Sequence, residues 1–138
     1  MSTIEYKEGV VFSKEQLAEL FLTDNWNSGK HPAKLFRAVS GSDYQLSAWD
    51  GEKLAGFVNA IDDGCMTCFI VFFIVDPNYQ KQGIGTYLLQ KTLDHYKTFN
   101  RRITTTEIDN INFYKKIGFS RNDDDVSMFN NHWDCDTE

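Results

Sequence analysis

The residues best suited to chemistry lie in one short stretch, Gln80-Lys81-Gln82-Gly83-Ile84-Gly85, with Thr86 after it. It follows an apolar run, Phe69 to Val75, and a turn at Asp76-Pro77-Asn78, and it precedes a helical pattern beginning near Thr86. Glycine lacks a Cβ, so the backbone here can take left-handed angles and approach a ligand closely. The first turn of the following helix has N–H groups with no intrahelical partner, and its dipole favours negative charge. Loop amides add a concave anion nest. The stretch therefore reads as a cradle for a pyrophosphate. A dinucleotide fingerprint requires a third glycine at the position of Leu88, and a P-loop requires a lysine directly after Gly85, where Thr86 stands.

Other chemistry is sparse. Cys65-Met66-Thr67-Cys68 has C-x-x-C spacing, but the pair enters a strand, and Cys135 is far away. A zinc site needs a second pair or histidines, and a redox pair starts a helix. Both cysteines are expected to be small buried hydrophobes. His31, His95 and His132 stand apart, and Asp123-Asp124-Asp125 reads as a solvated turn, so no metal is expected.

The surrounding elements follow from periodicity. Ile4 to Tyr6 reads as a short strand. Ser13 and Gln16 form a capping box, and Phe12 and Leu17 a hydrophobic staple, for a helix running to about Thr23. A polar, turn-rich segment from Asp24 to Lys30 contains Trp26, and a second helix spans Pro32 to Val39. Tyr44 to Trp49 and Lys53 to Ile61 form a hairpin about Asp50-Gly51. Cys65 to Val75 is expected to be a long strand buried on both faces. A helix carrying Leu88, Leu89, Leu93 and Tyr96 leads to a strand near Arg101 to Thr106, giving a parallel pair. A short helix from Asn110 to Ile117 ends at Gly118, with Phe119 folding back on it. Val126 to Phe129 is expected to be a final strand.

Composition sets the outer bounds. The 138 residues, 41% hydrophobic and 14% aromatic, fit one folded domain covering 1–138. The net charge of −6, from 20 acidic and 14 basic residues, argues against nucleic acid or an anionic membrane as partner. It suits a cationic substrate. No apolar run reaches the roughly 20 residues of a membrane span, and the N-terminus lacks a signal-peptide pattern, so a cytoplasmic location is expected. Three cysteines, an odd number, suggest reduced thiols.

Two motifs together carry a family resemblance. Val75-Asp76-Pro77 followed by Gln80-Lys81-Gln82-Gly83-Ile84-Gly85 resembles the acetyl-CoA signature Gln/Arg-x-x-Gly-x-Gly/Ala of the GNAT superfamily of N-acetyltransferases. Asn112-Phe113-Tyr114-Lys115-Lys116-Ile117-Gly118-Phe119 resembles its second landmark, Phe-Tyr-x-x-x-Gly-Phe. The likeness is good from about Lys53 to Phe119 and rests on element order before that. It implies an α/β fold with a central mixed sheet of about six or seven strands, helices on both faces and a splayed parallel pair.

The resemblance also implies a function: transfer of an acetyl group from acetyl-CoA to a primary amine, by direct attack in a ternary complex. The implied acceptor is a small amine, aralkylamine or polyamine-like; a peptide or protein acceptor and a non-catalytic acyl-CoA sensor are the alternatives. The Gln80–Gly85 loop and Thr86 are the implied pyrophosphate site. The backbone of Phe73, Ile74 and Val75 is expected to pair with the amide-rich arm of the cofactor. A bulge there exposes an N–H, at Phe73, to the thioester carbonyl. Tyr114 is the implied proton donor to the leaving sulfur, since a phenol with a pKa near 10 stays protonated at neutral pH; the other reading is a core aromatic. The family's upstream asparagine maps to Asp109 or Asn110, and Asn112 is a further candidate for cofactor contact. Asp62, Asp63 and Glu107 are candidate bases near strand ends, alongside a water chain. Trp26, with Asp62 and Glu107, is assigned to the acceptor side. The resemblance admits a homodimer.

Overall fold

In a computed structural model, which describes residues 3–131, the chain forms one mixed sheet with helices on both faces. Strand β1 (Ile4–Glu8) is followed by helices α1 (Lys14–Leu22) and α2 (Pro32–Ser40). Strands β2 (Tyr44–Asp50), β3 (Lys53–Asp62) and β4 (Thr67–Val75) come next. Helix α3 (Ile84–His95), strand β5 (Arg101–Thr104) and helix α4 (Ile111–Ile117) complete it. The order across the sheet is β1-β2-β3-β4-β5, antiparallel throughout except for the parallel pair β4-β5.

Local sequence accounts for most boundaries. The capping box forms as expected: Gln16 N–H donates to Ser13 Oγ (3.0 Å) and Ser13 N–H to Gln16 Oε1 (2.9 Å). Gly51 turns the β2-β3 hairpin at φ +60°, an angle costly for residues with a Cβ. Gly118 ends α4 at φ +116°, and Phe119 N–H reaches back to the Tyr114 carbonyl (3.1 Å).

Two apolar clusters sandwich the sheet. On one face α1 and α2 bury Leu17, Phe21, Leu35 and Val39 against Phe57 and Ile74. On the other, α3 buries Leu88, Leu89 and Tyr96 against Leu46, Val58 and Ile70. Phe57 and Val58 are adjacent residues serving opposite clusters, as strand alternation requires.

Four expectations fail here. Five strands form among the described residues, not six or seven. Val126 to Phe129 is not a strand: Val126, Met128 and Phe129 are exposed, and no ladder takes their backbone. The strands buried on both faces are β2 and β3, not β4; β4 has Val71 exposed and Phe72, Phe73 and Val75 half-buried. Its far half is open on one side, so it borders a cavity instead of a layer. The expected burial of Cys65 also fails. The Asp63 carboxylate accepts N–H bonds from Cys65, Met66 and Thr67, which gathers them into a turn ahead of β4. Cys65 is exposed there, while Cys68 in the strand is buried. Cys135 and His132 lie outside the described residues.

Candidate active site

The site is built on the disagreement between the two halves of β4. Thr67 to Ile70 pair with β3 on one side and with Arg101 to Thr104 of β5 on the other. There the parallel ladder stops. Thr104 Oγ1 donates to the Ile70 carbonyl (3.2 Å), closing off its last acceptor. Beyond it, Val71 has no ladder partner and Phe72 to Val75 pair only with β3 among the described residues.

A bulge marks the junction. On β3, Ala60 faces Ile70, but its neighbour Asn59 faces Phe72, so Val71 is an extra residue. The side-chain faces switch accordingly. Cys68 and Ile70 belong to the α3 cluster, and past the bulge Phe73 and Val75 do. Phe72 and Ile74 pack on the α1 side. The backbone polarity switches with them. Phe72 N–H goes to Asn59 Oδ1 (2.9 Å) and Asp76 N–H to the Ala55 carbonyl (2.8 Å). Strand alternation between those two points turns the N–H and C=O of Phe73 and Val75 to the open side. A bulge of the kind that the resemblance implied is present, but at Val71, two residues before Phe73.

A cavity of about 490 Å³ occupies the opening. Its wall combines residues from both faces of the sheet: Phe73, Phe113 and Tyr114 from the α3 side, and Asp24, Trp26 and Ile74 from the α1 side. It therefore passes through the sheet between the diverging strands.

At the glycine end, Gly83 takes φ +86° and caps α3 without any side-chain hydrogen bond. The first helical bond is Tyr87 N–H to the Gly83 carbonyl (3.0 Å), which leaves the N–H groups of Ile84, Gly85 and Thr86 without intrahelical partners. No acidic residue stands in that first turn. Lys81 and Thr86 add a cation and a hydroxyl to the wall. Such a donor set fits a diphosphate. The two glycines do different work. A Cβ on Gly83 meets nothing within 4 Å, so its requirement is conformational. A Cβ on Gly85 comes within 3.1 Å of Phe73 Cζ and 3.4 Å of Phe113 Cζ, so its requirement is close packing.

The loop is tied down by its own side chains. Gln80 Nε2 donates to the Val75 carbonyl (3.2 Å), and the buried Asp76 carboxylate accepts Asn78 N–H (2.9 Å) with Lys53 Nζ 3.6 Å away. Tyr114 is held by three rings, Phe73, Phe113 and Phe119, with centroids 6.1, 5.5 and 5.4 Å distant. Burial pushes its phenol pKa up, with a hydrogen bond to the Thr106 side chain pulling the other way.

Of the residues singled out from sequence, Phe73, Ile74, Val75, Gln80, Lys81, Gly83, Gly85, Thr86, Tyr114, Trp26 and Glu107 line the cavity. Four others do not. Ile84 is buried in the α3 cluster, and the Gln82 and Asn112 side chains are exposed. Asp62 sits at the paired end of the sheet, opposite Cys68, where its carboxylate takes the Tyr96 hydroxyl (2.8 Å). Asp63, named as a base, caps the turn before β4, and those N–H bonds hold its pKa down. Of the three carboxylates considered, Glu107 alone reaches the cavity wall.

Sequence reading missed Asp24, Val71 and the run Thr104-Thr105-Thr106 on the wall. Asp24 accepts from Trp26 Nε1 (3.1 Å), and Trp26 lies against Phe21 and Phe72. Asn110, one of the two positions offered by the motif spacing, is also on the wall. Among the described residues no group of three or more His, Cys, Asp or Glu gathers to hold a metal ion, and no helix is long and apolar enough to cross a membrane.

Comparison with known proteins agrees with this fold. The chain is 28% identical to an acetyltransferase of the GNAT family from Streptococcus pneumoniae, over 94% of this chain and 98% of that one, with a TM-score of 0.83. An aminoglycoside N-acetyltransferase solved in complex with CoA shares the fold at a TM-score of 0.72 and 15% identity, covering 96% of this chain and 97% of that one. An uncharacterised N-acetyltransferase of Pyropia yezoensis is 29% identical over 76 residues, 54% of this chain and 44% of that relative, so the match spans less than half of the relative's length. The model of the acetyltransferase (GNAT) family matches residues 13–119, from the capping box of α1 to the residue after Gly118, and the chain belongs to that family.

Proposed function

We propose that this chain transfers the acetyl group of acetyl-CoA to a small primary amine by direct attack in a ternary complex. The observation that carries the reading is the cavity through the sheet. Its lining brings together N–H groups without intrahelical partners, Lys81, the carboxylates of Asp24 and Glu107, and a buried phenol.

Acetyl-CoA supplies the activated acetyl group. The N–H groups of Ile84, Gly85 and Thr86, with Lys81, are suited to hold its diphosphate. The open edge of Val71 to Val75 offers backbone groups to its amide-rich arm. Phe73 N–H faces the opening and is the donor for the thioester oxygen, where negative charge develops. Asp24 and Glu107 favour a cationic acceptor, and Trp26 gives it an apolar wall. The acceptor must shed a proton to attack, because a free alkylamine has a pKa near 10.4. That proton passes to water, with Glu107 the carboxylate on hand. As the new C–N bond forms and the C–S bond breaks, Tyr114 donates its hydroxyl proton to the sulfur, and the second proton leaving the nitrogen restores the phenol. Its raised pKa keeps that proton in place across neutral pH.

Two measurements test this. Titration calorimetry with acetyl-CoA is expected to give saturable heat at one site per chain. A panel of small amines, assayed by release of free CoA thiol, is expected to include one that accelerates release in proportion to product. Binding without release for any amine favours a sensor of acyl-CoA over an enzyme. No heat with acetyl-CoA overturns the reading.

A further inference from the structure

Asn59 is a polar residue in an apolar stretch. Its neighbours on β3 are Leu54, Ala55, Gly56, Phe57 and Val58 on one side and Ala60 on the other. It is 2% exposed, and its Oδ1 accepts Phe72 N–H at 2.9 Å, directly across the bulge.

Hydrophobicity does not choose the register of this part of β4. Val71, Phe72, Phe73, Ile74 and Val75 are all apolar, so shifting them by one residue exchanges apolar side chains between two apolar clusters. A strand whose two faces read alike is weakly registered. A slip to the regular ladder, with Val71 opposite Asn59, turns every later N–H through half a turn. Phe73 N–H then faces β3 instead of the cavity. The bulged register needs something specific to hold it, and a buried polar group that is satisfied in only one register is such a device.

We infer that Asn59 is a positioning residue. Its side-chain oxygen holds the Val71 bulge and thereby aims Phe73 N–H into the cavity, where the thioester carbonyl is polarised. The second half of this statement rests on the acetyl-transfer reading, and the first half does not. Asn59 touches no reacting atom; it acts through the backbone of Phe72 and Phe73.

The test uses protein labelled with ¹⁵N at phenylalanine, in wild type, Asn59→Ala, Asn59→Asp and Val39→Ala. Asn59→Asp keeps the accepting oxygen. Val39→Ala removes bulk from the α1 cluster, where Val39 is fully buried, and so supplies loss of stability without loss of the acceptor. Without any ligand, Phe72 amide exchange is expected to quicken by roughly tenfold or more in Asn59→Ala relative to Val39→Ala, and to be slowed again in Asn59→Asp. With ligand, the Phe73 amide resonance of wild type is expected to move on adding acetyl-CoA and not CoA. That difference is lost in Asn59→Ala, while CoA affinity measured by calorimetry stays within about threefold. Turnover of any amine found in the panel falls by roughly 10–100-fold with KM little changed, since the loss is of a donor that matters in the transition state.

Phe72 exchange and the Phe73 response both unchanged in Asn59→Ala overturn the proposal. Should Asn59→Ala not fold, wild-type Phe72 exchange as fast as that of exposed loop amides overturns it as well, and slow exchange restored in Asn59→Asp supports it. If wild type gives no heat with acetyl-CoA, the acetyl-transfer reading and the aiming of Phe73 fall together. The ligand-free exchange then still decides whether Asn59 holds the bulge.

Discussion

The two halves of β4 are made of similar residues and do opposite things. Before the bulge, Cys68 and Ile70 are 1% exposed, with ladders on both sides. After it, Phe73 and Val75 are half-buried, with a ladder on one side and a cavity on the other. Side-chain hydrophobicity does not separate them. What separates them is where backbone groups go: Thr104 takes the last paired carbonyl, Asn59 takes the first unpaired amide, and one extra residue reverses the alternation between. An open edge bordering a cavity has been made from an apolar strand by withholding a neighbour.

Substitutions that keep both halves folded sharpen that contrast. The largest effect is expected from Gly85→Val. Its Cβ already falls within 3.1 Å of Phe73 Cζ, and the added methyls force apart the open half of β4 and the α3 N-terminus. Heat of acetyl-CoA binding is expected to vanish in calorimetry, and binding at wild-type strength removes the loop from the site. Next comes Tyr114→Phe, which leaves the ring cluster in place and removes one proton donor. Turnover is expected to drop by about 10²-fold with acetyl-CoA affinity within about twofold. The phenol pKa is raised, and the protonated form is the one needed. Wild-type kcat is therefore expected to show no alkaline loss through Tyr114 up to at least about pH 9, since that loss falls above the ordinary value near 10. A fall centred near pH 8 contradicts this assignment. The smallest effect on binding belongs to the paired half. Cys68→Ala, in the α3 cluster, is expected to cost about 1 kcal/mol of stability by thermal unfolding and to leave acetyl-CoA affinity unchanged. Weakened binding there erases the distinction between the halves.

The glycine loop was legible in the sequence because residue type dictates its conformation. Only glycine sits easily at φ +86° or lets Phe73 and Phe113 come so near, so Gly83 and Gly85 announce the loop. Tyr114 was legible through its motif, and α1 through its capping box. The bulge was legible only through resemblance and not by position. Its extra residue is a valine within seven consecutive apolar residues, and Asn59, the polar clue, lies on another strand. Asp24 and Thr106 reach the wall from loops widely separated in the chain, which no local pattern connects. Asp62 and Asp63 misled because strand ends have two sides. They lie where β4 begins, and the cavity lies where it finishes. The final strand failed because apolar residues at 126, 128 and 129 propose a ladder without supplying its partner.

One consequence follows from the α3 cap. Most of the donors available there are peptide groups, which have no side-chain identity to lose and no proton to gain or give across the working range. On the acetyl-transfer reading, drift at exposed Gln82 can then proceed without erasing the grip, provided the helix still begins where it does. On that same reading, the grip on the donor therefore rests mainly on groups that acidity leaves unchanged, and its reaction on a phenol whose proton burial retains.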